Sequence, residues 1–404
     1  MKSLMLGLAT FILIAQGRAQ IKIEVDANTV GPEVNPYMYG IFFEELGHSG
    51  DGGLYAELVR NRSFEDCNIP EGMTISNGFA VAKCRDRIPW PPKEPIPGWV
   101  TVEKGAAAIH LDKVKLLNSV QTTSLRLEVQ ASDANGLAGV ANTGYWGMSF
   151  EEGAKYNLSL YACANPDFKG MVGKPDAPVE IKDAHNYRNA AWFLDNMKQF
   201  DGYDRHSPKI SIMEMAARSA NHTLHSALLE AAYMIGLERN ADVVPLVSYA
   251  PLLLNVNHKN AWLPVLIHFD NHRVFGTPSY YTQMLFMHHR PDVVLATRVE
   301  AGEQPTLFAL AGKDRKSGEI IIKIVNLAEE ERPVEIAIKN AGALQEAATE
   351  WVLTSADPMD QNSFDAPKKV SPVTQPVKIT GPTFTRTVPK HSFTVLRLKP
   401  GEPP

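Results

Sequence analysis

The stretch Lys209-Ile210-Ser211-Ile212-Met213-Glu214 is short, apolar and closed by a carboxylate, and the small residues Ala216 and Ala217 follow it. Such a run predicts a buried strand at 208–213. Beyond it, Leu224, Leu228, Ala231 and Ile235 fall at helical spacing and predict an amphipathic helix, with further strands expected at 243–247 and 265–269. Strands that alternate with helices imply a parallel sheet. From Ile181 to about residue 295 the chain therefore reads as α/β. In a parallel β/α barrel the C-terminal strand ends face a common bowl and supply the catalytic groups, which makes Glu214 a candidate.

Toward the N-terminus, residues 21–43 alternate like strands and end in Tyr39-Gly40-Ile41-Phe42-Phe43, before Glu44-Glu45. The loop Gly47-His48-Ser49-Gly50-Asp51-Gly52-Gly53 comes next, and 54–59 is expected to be a helix packing back on that strand. From about Arg62 to Ala164 the pattern becomes short strands, expected at 99–102, 107–111, 124–129, 139–142 and 156–162, which fits a β-sandwich module. The Pro-rich stretch 88–97 would be its approach loop, because Pro removes ladder hydrogen bonds from a central strand. Trp90, Trp99, Tyr145 and Trp146 could stack on sugar rings, or fill the module's core and rim, the commoner use of such side chains. Residues 165–180, with Gly170, Gly173, Pro175 and Pro178, read as a junction. After about residue 296 strands return, with a hairpin at 308–311 and 320–325 and a last strand at 392–398, as expected of a second β-sandwich.

The 404 residues are 44% hydrophobic and 21% charged, which excludes a disordered, collagenous or fibrous chain. Forty basic against 45 acidic residues give a net charge of -5, with no basic block to neutralise a phosphate backbone, so nucleic acid is not an expected partner. An acidic balance suits a neutral substrate better than an anionic one. Lys2, the apolar run from Leu4 to Ala15 and Gly17-Arg18-Ala19 read as a signal peptide over 1–19, cleaved after Ala19. The run is shorter than the roughly 20 residues of a bilayer span, so the expectation is a secreted or periplasmic protein without membrane attachment. Cys67, Cys84 and Cys163 allow at most one disulfide and match no zinc spacing; no metal or cofactor is expected. Asn61, Asn157 and Asn221 begin Asn-x-Ser/Thr sequons.

His185 and Tyr187 stand in Asp183-Ala184-His185-Asn186-Tyr187, just before Trp192-Phe193. Taken singly, an exposed strand-end Glu or a hydrogen-bonded His is the commoner reading. Retaining glycoside hydrolysis needs two carboxyl groups about 5–5.5 Å apart, one kept ionised by hydrogen bonds and one kept protonated by burial or a neighbouring charge. Glu214 could be the first. Spacing alone picks no second.

Gly40-Ile41-Phe42-Phe43-Glu44-Glu45, then Gly50-Asp51-Gly52-Gly53-Leu54-Tyr55-Ala56-Glu57-Leu58 and Asn61-Arg62-Ser63-Phe64-Glu65, closely resemble the start of the α-L-arabinofuranosidases of glycoside hydrolase family 51. Gly236-Leu237-Glu238-Arg239-Asn240-Ala241-Asp242-Val243-Val244, Ser248-Tyr249-Ala250-Pro251, Phe269-Asp270-Asn271 and Gly276-Thr277-Pro278-Ser279-Tyr280-Tyr281 resemble its later part. The resemblance covers 21–164 and 181–400. It implies α/β plus all-β architecture: a (β/α)8 barrel interrupted by a carbohydrate-binding-like β-sandwich and joined to a C-terminal β-sandwich. On that frame 20–36 is a strand of the C-terminal sandwich, 37–61 the first barrel strand and helix, 62–164 the inserted module, 181–295 the second part of the barrel and 296–404 the C-terminal sandwich. The family's nucleophile matches Glu214, its sugar-contacting carboxylate Glu44, and its Asp-Glu-His-Tyr-Tyr segment His185 and Tyr187, with Ala184 and Asn186 as departures. A homo-oligomer, hexameric in the family, is a further implication.

The family's acid/base Glu follows Gly-Asn, and no Gly-Asn-Glu occurs in this sequence. Barrel-like sequence covers 37–60 and 181–295, well short of the roughly 250 residues of a complete barrel. The resemblance therefore implies an internal deletion, leaving a partial barrel with open strand edges. Loss of a general acid removes a contribution of typically 10²- to 10⁴-fold; Glu45, Asp183 and Asp270 are candidate substitutes. Two functions follow: an exported retaining hydrolase that removes terminal α-L-arabinofuranosyl residues from plant polysaccharides, or a non-catalytic remnant that binds arabinose-containing glycans.

Overall fold

Glu214 lies in a four-stranded parallel sheet, ordered Ile181–Arg188, Lys209–Ala217, Leu246–Tyr249, Tyr39–Ile41. The structure, a computed structural model, describes residues 21–148, 181–300 and 306–401, apart from 45–47, 56, 71, 82–86, 93, 104–105, 115, 132–137, 219–220 and 259–262. The expected signal peptide, the junction at 165–180, the strand at 156–162, Glu45, Cys84, Cys163 and Asn157 lie outside the described residues. Each neighbouring pair in the four-stranded sheet is parallel, so the loops leaving the four C-terminal ends share one edge.

Helix Leu224–Arg239 follows the Glu214 strand, its first turn capped by the Thr223 hydroxyl, which accepts the Ser226 N–H. Its spacing suggested one apolar face, yet every residue from Ser226 to Glu238 is buried. The reason is tertiary. One core cluster joins Leu228, Tyr233 and Ile235 of the helix to Ile210, Ile212 and Met215 of the parallel sheet, and also to Leu310, Ile321, Val325 and Phe393 of a second, larger sheet. A helix covered on two sides has no solvent face on which to place its polar residues. Glu238 is accordingly paired with Lys323 of the larger sheet, whose Nζ lies 2.7 and 2.5 Å from its two oxygens, and it accepts the Tyr39 hydroxyl.

The larger sheet has nine strands, in the order Val373–Lys378, Ala347–Thr354, Ser392–Leu398, Ile320–Asn326, Leu307–Lys313, Val293–Glu300, Ile21–Glu33, Arg332–Lys339, Thr383–Val388. Ile21–Glu33 joins it between an antiparallel and a parallel neighbour. Ala348 and Phe384, from near opposite ends of this order, share one core with Ile23, Val25 and Ile322, so the sheet folds over itself. Val293–Glu300 belongs wholly to it and crosses the boundary expected at 295/296.

The strands read in the 62–164 segment appear as Trp99–Glu103 paired with Ala138–Asn142 and Ala106–Asp112 paired with Ser124–Ala131; with Thr74–Ser76, Phe79–Val81 and Arg87–Pro89 the described residues form three separate small sheets. Pro89 ends the edge strand Arg87–Pro89, so the Pro-rich stretch starts in a sheet rather than wholly as a loop. Among the described residues of 54–59 the expected helix does not form: the Leu54 and Tyr55 N–H groups bond back to the Ser49 and Gly50 carbonyls, and Gly52, at φ 83, turns the chain. The strand expected at 265–269 is Ile267–Phe269 and lies in another sheet, with Leu253–Asn255 and Val274–Gly276. Asn61 of the first sequon is 3% exposed and its Nδ2 donates to the Pro97 carbonyl, which leaves no room for a glycan. No helix among the described residues is long and apolar enough to cross a membrane.

Candidate active site

Alternation along the Glu214 strand would put Glu214 on the wrong side. Ile210 and Ile212 point into the core shared with helix Leu224–Arg239, and regular period-two pleating sends residue 214 the same way. Both neighbouring strands record an extra residue here. Asp183 and His185 face Ser211 and Glu214, and Val247 and Tyr249 face Ile212 and Met215, so three residues of the Glu214 strand span two of each partner. This is a β-bulge, and bulges re-aim side chains. After it Met215 and Ala217 face the helix, while Ala216 joins a cluster on the opposite face with Tyr249, Leu266 and Phe269. The Ser248 hydroxyl donates to the Met213 carbonyl within the bulge at 2.6 Å.

Glu214 thereby meets the residues opposite it in register. His185 is its direct partner on the adjacent strand, and Tyr187 is two residues on, on the same face. The Tyr187 hydroxyl donates to Glu214 Oε2 at 2.9 Å, and His185 Nδ1 lies 3.3 Å from the same oxygen. The Glu214 side chain is 19% exposed against 48% for His185, so the carboxylate sits below a more open imidazole. Burial raises the Tyr187 phenol well above its ordinary value, helped by its bond to Glu214 and by the charges of Glu214 and Glu44. Tyr187 is therefore a fixed donor at any working pH. Glu44 itself is exposed, three residues beyond Tyr39–Ile41, and the Ser49 hydroxyl donates to its carbonyl at 2.8 Å.

The far side of the sheet anchors these strand ends. Asn186 turns away from the site and donates to the Tyr233 hydroxyl at 3.2 Å, and Glu230 accepts the Ala217 N–H at 2.9 Å. Both partners are on helix Leu224–Arg239. Burial pushes the Glu230 carboxyl up to about 8, against hydrogen bonds from Ser279 and Ala217, so it is neutral near pH 7. Sequence reading passed over Glu230, and named Ser248 only within Ser248-Tyr249-Ala250-Pro251 without a role; a Glu on the strongly apolar stretch 224–237 was the available signal for Glu230.

Of the three candidate proton donors, Glu45 lies outside the described residues, as does the side chain of Asp183. Asp270 follows Ile267–Phe269 and is committed elsewhere: burial raises its pKa, but the His272 and Arg273 N–H groups and the Arg273 side chain outweigh it and hold the carboxyl below the ordinary value. That favours the ionised form, opposite to what a general acid needs.

A family profile described as the α-L-arabinofuranosidase C-terminal domain matches residues 191–392. The chain belongs to the family 51 α-L-arabinofuranosidases. It is 34% identical over 247 residues to α-L-arabinofuranosidase 2 of Arabidopsis thaliana, a match covering 58% of this chain and 36% of that protein. It is 43% identical over 123 residues to an extracellular exo-α-L-arabinofuranosidase of Streptomyces chartreusis, covering 30% of this chain and 14% of that one. The chain thus spans about a third or less of these arabinofuranosidases. An arabinose-bound family 51 α-L-arabinofuranosidase structure superposes with a TM-score of 0.73 at 18% identity, over 95% of this chain and all of that one, and shares its fold.

Proposed function

We propose that this arabinofuranosidase is an exported retaining hydrolase that removes terminal α-L-arabinofuranosyl residues from plant polysaccharides, working outside the cytoplasm. Glu214 is the nucleophile: its carboxylate attacks the anomeric carbon as the glycosidic bond breaks, the leaving oxygen takes its proton from solvent water because no side-chain acid is assigned, and a second water then hydrolyses the covalent glycosyl-enzyme, releasing arabinose and regenerating the carboxylate. Tyr187 and His185 orient the carboxylate, and Glu44 contacts the sugar. The four parallel strands correspond, on this reading, to part of the family's barrel, and the nine-stranded sheet to its C-terminal sandwich. The observation that carries the reading is the bulge that turns Glu214 onto Tyr187 and His185, at the edge where the loops of four parallel strands gather.

A second reading, glycan binding without turnover, is favoured by the sequence, which lacks the Gly-Asn-Glu of the family's acid/base. Incubation with an aryl α-L-arabinofuranoside separates the two, since an activated leaving group needs little protonation. Release by the wild type that disappears in Glu214→Gln supports hydrolysis. No release from folded wild type refutes it.

A further inference from the structure

The inner face of the nine-stranded sheet is apolar until one end, where its character changes. Ala348 on Ala347–Thr354, Val377 on Val373–Lys378, Phe384 on Thr383–Val388 and Leu396 on Ser392–Leu398 all pack into one core. Side chains alternate along a strand, and no register shift interrupts the pairings of these four. Glu350, Thr354, Gln375, Arg386 and Thr394 therefore continue the same inward rows, and all are polar. Inward positions of packed sheets are ordinarily apolar. Trp351, Leu353 and Val395, which alternate with them, pack instead into the core shared with helix Leu224–Arg239, so this polar end and Glu214 lie on opposite sides of the nine-stranded sheet.

Glu350, 2% exposed, ties the two ends of the strand order together. Arg386 Nε donates to its Oε1 at 2.9 Å and Arg386 Nη2 to its Oε2, and Gln375 Nε2 donates to Oε2 at 2.7 Å. Gln375 and Arg386 stand on the first and last strands of that order, which leaves a slot between two sheet edges. The slot holds a cavity of about 260 Å3, lined by Val352, Thr354, Val373, Thr387 and Pro389 besides these three side chains. A water molecule needs only about 10–15 Å3 of such room, while drug-sized ligands occupy about 300–1,000 Å3. The space suits one small ring. Its lining narrows the chemistry further. Arg386 matches the Glu350 charge, so the slot calls for neither an anion nor a cation. Thr354 donates its hydroxyl to the Lys390 carbonyl at 3.0 Å and keeps its oxygen as an acceptor, and Arg386 Nη1 is not used by Glu350. Thr394, 1% exposed, stands directly opposite the lining residue Val352 in the strand pair, and its Oγ1 has no hydrogen-bond partner among the described residues. Native proteins rarely bury a hydroxyl unpaired.

We propose that this slot is a binding site for a neutral, polyhydroxylated ring of monosaccharide size, with Thr394, Thr354 and Arg386 as its polar contacts and Val352 and Val373 against its C–H face. A mostly apolar wall with a few fixed donors and acceptors is the usual composition of a small-molecule site, and a ring with hydroxyls on its rim and C–H groups on its face complements it. The ring supplies the partner that the Thr394 hydroxyl lacks. The site stands apart from Glu214 and does not rest on the reading of that residue as a nucleophile.

The test is read at the slot itself, so that sugar bound elsewhere on the chain does not count. The full-length protein, labelled at its valine methyls and with Val352 and Val373 assigned through Val352→Ile and Val373→Ile, is titrated by NMR with L-arabinose and separately with the anion L-arabinonate. Both methyl signals should shift saturably with L-arabinose. Thr394→Val, which keeps the side chain's shape, should weaken that binding about 2- to 12-fold, the range of one neutral hydrogen bond, with a thermal melt no lower than wild type. Val373→Trp, which closes the mouth of the slot, should abolish the shift at Val352. No saturable shift in the folded protein, as expected of a slot filled by ordered water only, overturns the proposal. Equal affinity in wild type and Thr394→Val, a Val352 shift that survives Val373→Trp, or tighter binding of the anion than of the neutral sugar does so as well.

Discussion

Replacing Lys323 by Met should destabilise this protein more than any surface substitution, and a second change should restore most of the loss. Lys323 is 1% exposed and Glu238 2%, and the carboxylate is shared with the Tyr39 hydroxyl. Burial lowers the Lys323 pKa, opposed by the Glu238 charge and hydrogen bond, so the ammonium depends on its partner. Removing one member of a buried pair leaves an uncompensated charge and costs about 3–5 kcal/mol, whereas replacing both by neutral groups of similar volume is often close to neutral. Lys323→Met should therefore cost about 4 kcal/mol, and Lys323→Met with Glu238→Gln, which keeps an acceptor for Tyr39, should return to within about 1.5 kcal/mol of wild type. At roughly 2–4 °C per kcal/mol for a cooperative unit of 150–250 residues, the single variant melts about 8–16 °C lower. Guanidinium melts of wild type, both single variants and the double variant close the thermodynamic cycle. A single-variant cost below about 1 kcal/mol, or a double variant equal to the sum of the singles, would refute the idea that this triad ties the Tyr39 strand, the central helix and the nine-stranded sheet together.

Tyr187→Phe removes one charge-assisted hydrogen bond from Glu214, worth about 1.5–3 kcal/mol, so kcat/KM for an aryl arabinofuranoside should fall about 10- to 150-fold, with the melt little changed; full activity in that variant would show that the hydroxyl does not position the carboxylate. Asp270→Asn should lower the melting temperature while leaving the pH profile of activity in place, because its carboxyl is already held ionised by Arg273 and backbone N–H groups; a shifted basic limb would instead mark it as the proton donor. Glu230 titrates near 8 in the folded chain and near 4.5 unfolded. Between those values the native state binds the extra proton, so this group's stabilisation is complete below 4.5 and is lost as pH rises through 8. His48, His222, His225, His258, His268 and His289, all pushed down by burial, act in the opposite sense around and below pH 6.5, so the Glu230 contribution is read as the difference between wild type and Glu230→Gln from pH 6.5 to 8. Over that range denaturant melts should show the wild type losing stability relative to Glu230→Gln with rising pH, by up to about 1.4 kcal/mol per unit, and parallel pH profiles for the two would refute the shift.

Glu214, His185 and Tyr187, which the structure brings together, were each named from the sequence, but their directions were not legible there. An apolar run closed by Glu214 predicted a strand, and the strand is there, extended to Ala217. Ile210 and Ile212 also predicted a face, and continuing that alternation places Glu214 in the helix-side core. Met213 and Met215 are both apolar and fit either face, so nothing local marks the extra residue; it is visible only in the register of the two neighbouring strands. The central helix failed for a related reason. Its spacing marks one apolar stripe, while the second covered side exists because the nine-stranded sheet, assembled from Ile21–Glu33 and strands beyond residue 292, closes over it. Residues 54–59 carry helix-compatible side chains, but the turn at Gly52 commits the Leu54 and Tyr55 N–H groups to the Ser49 and Gly50 carbonyls where a helix would start.

These cases share a cause with a consequence for function. A carboxylate's chemistry depends on what it faces, and facing is decided by pairing between distant segments: Glu214 faces His185 and Tyr187 because an irregularity of one residue is held between two partner strands. The helix behind them fixes both strands, through Asn186 to Tyr233 and through Ala217 to Glu230, and Glu238 on the same helix is tied to Lys323 in the large sheet. On the proposed reading, the orientation of Glu214 is coupled to a salt bridge on the opposite side of the helix. The Lys323→Met variant, assayed well below its lowered melting temperature, should therefore lose kcat/KM along with stability, and the double variant should regain both. Recovery of stability without recovery of activity would mean that the strands carrying His185, Tyr187 and Glu214 keep their register without help from the sheet beyond the helix.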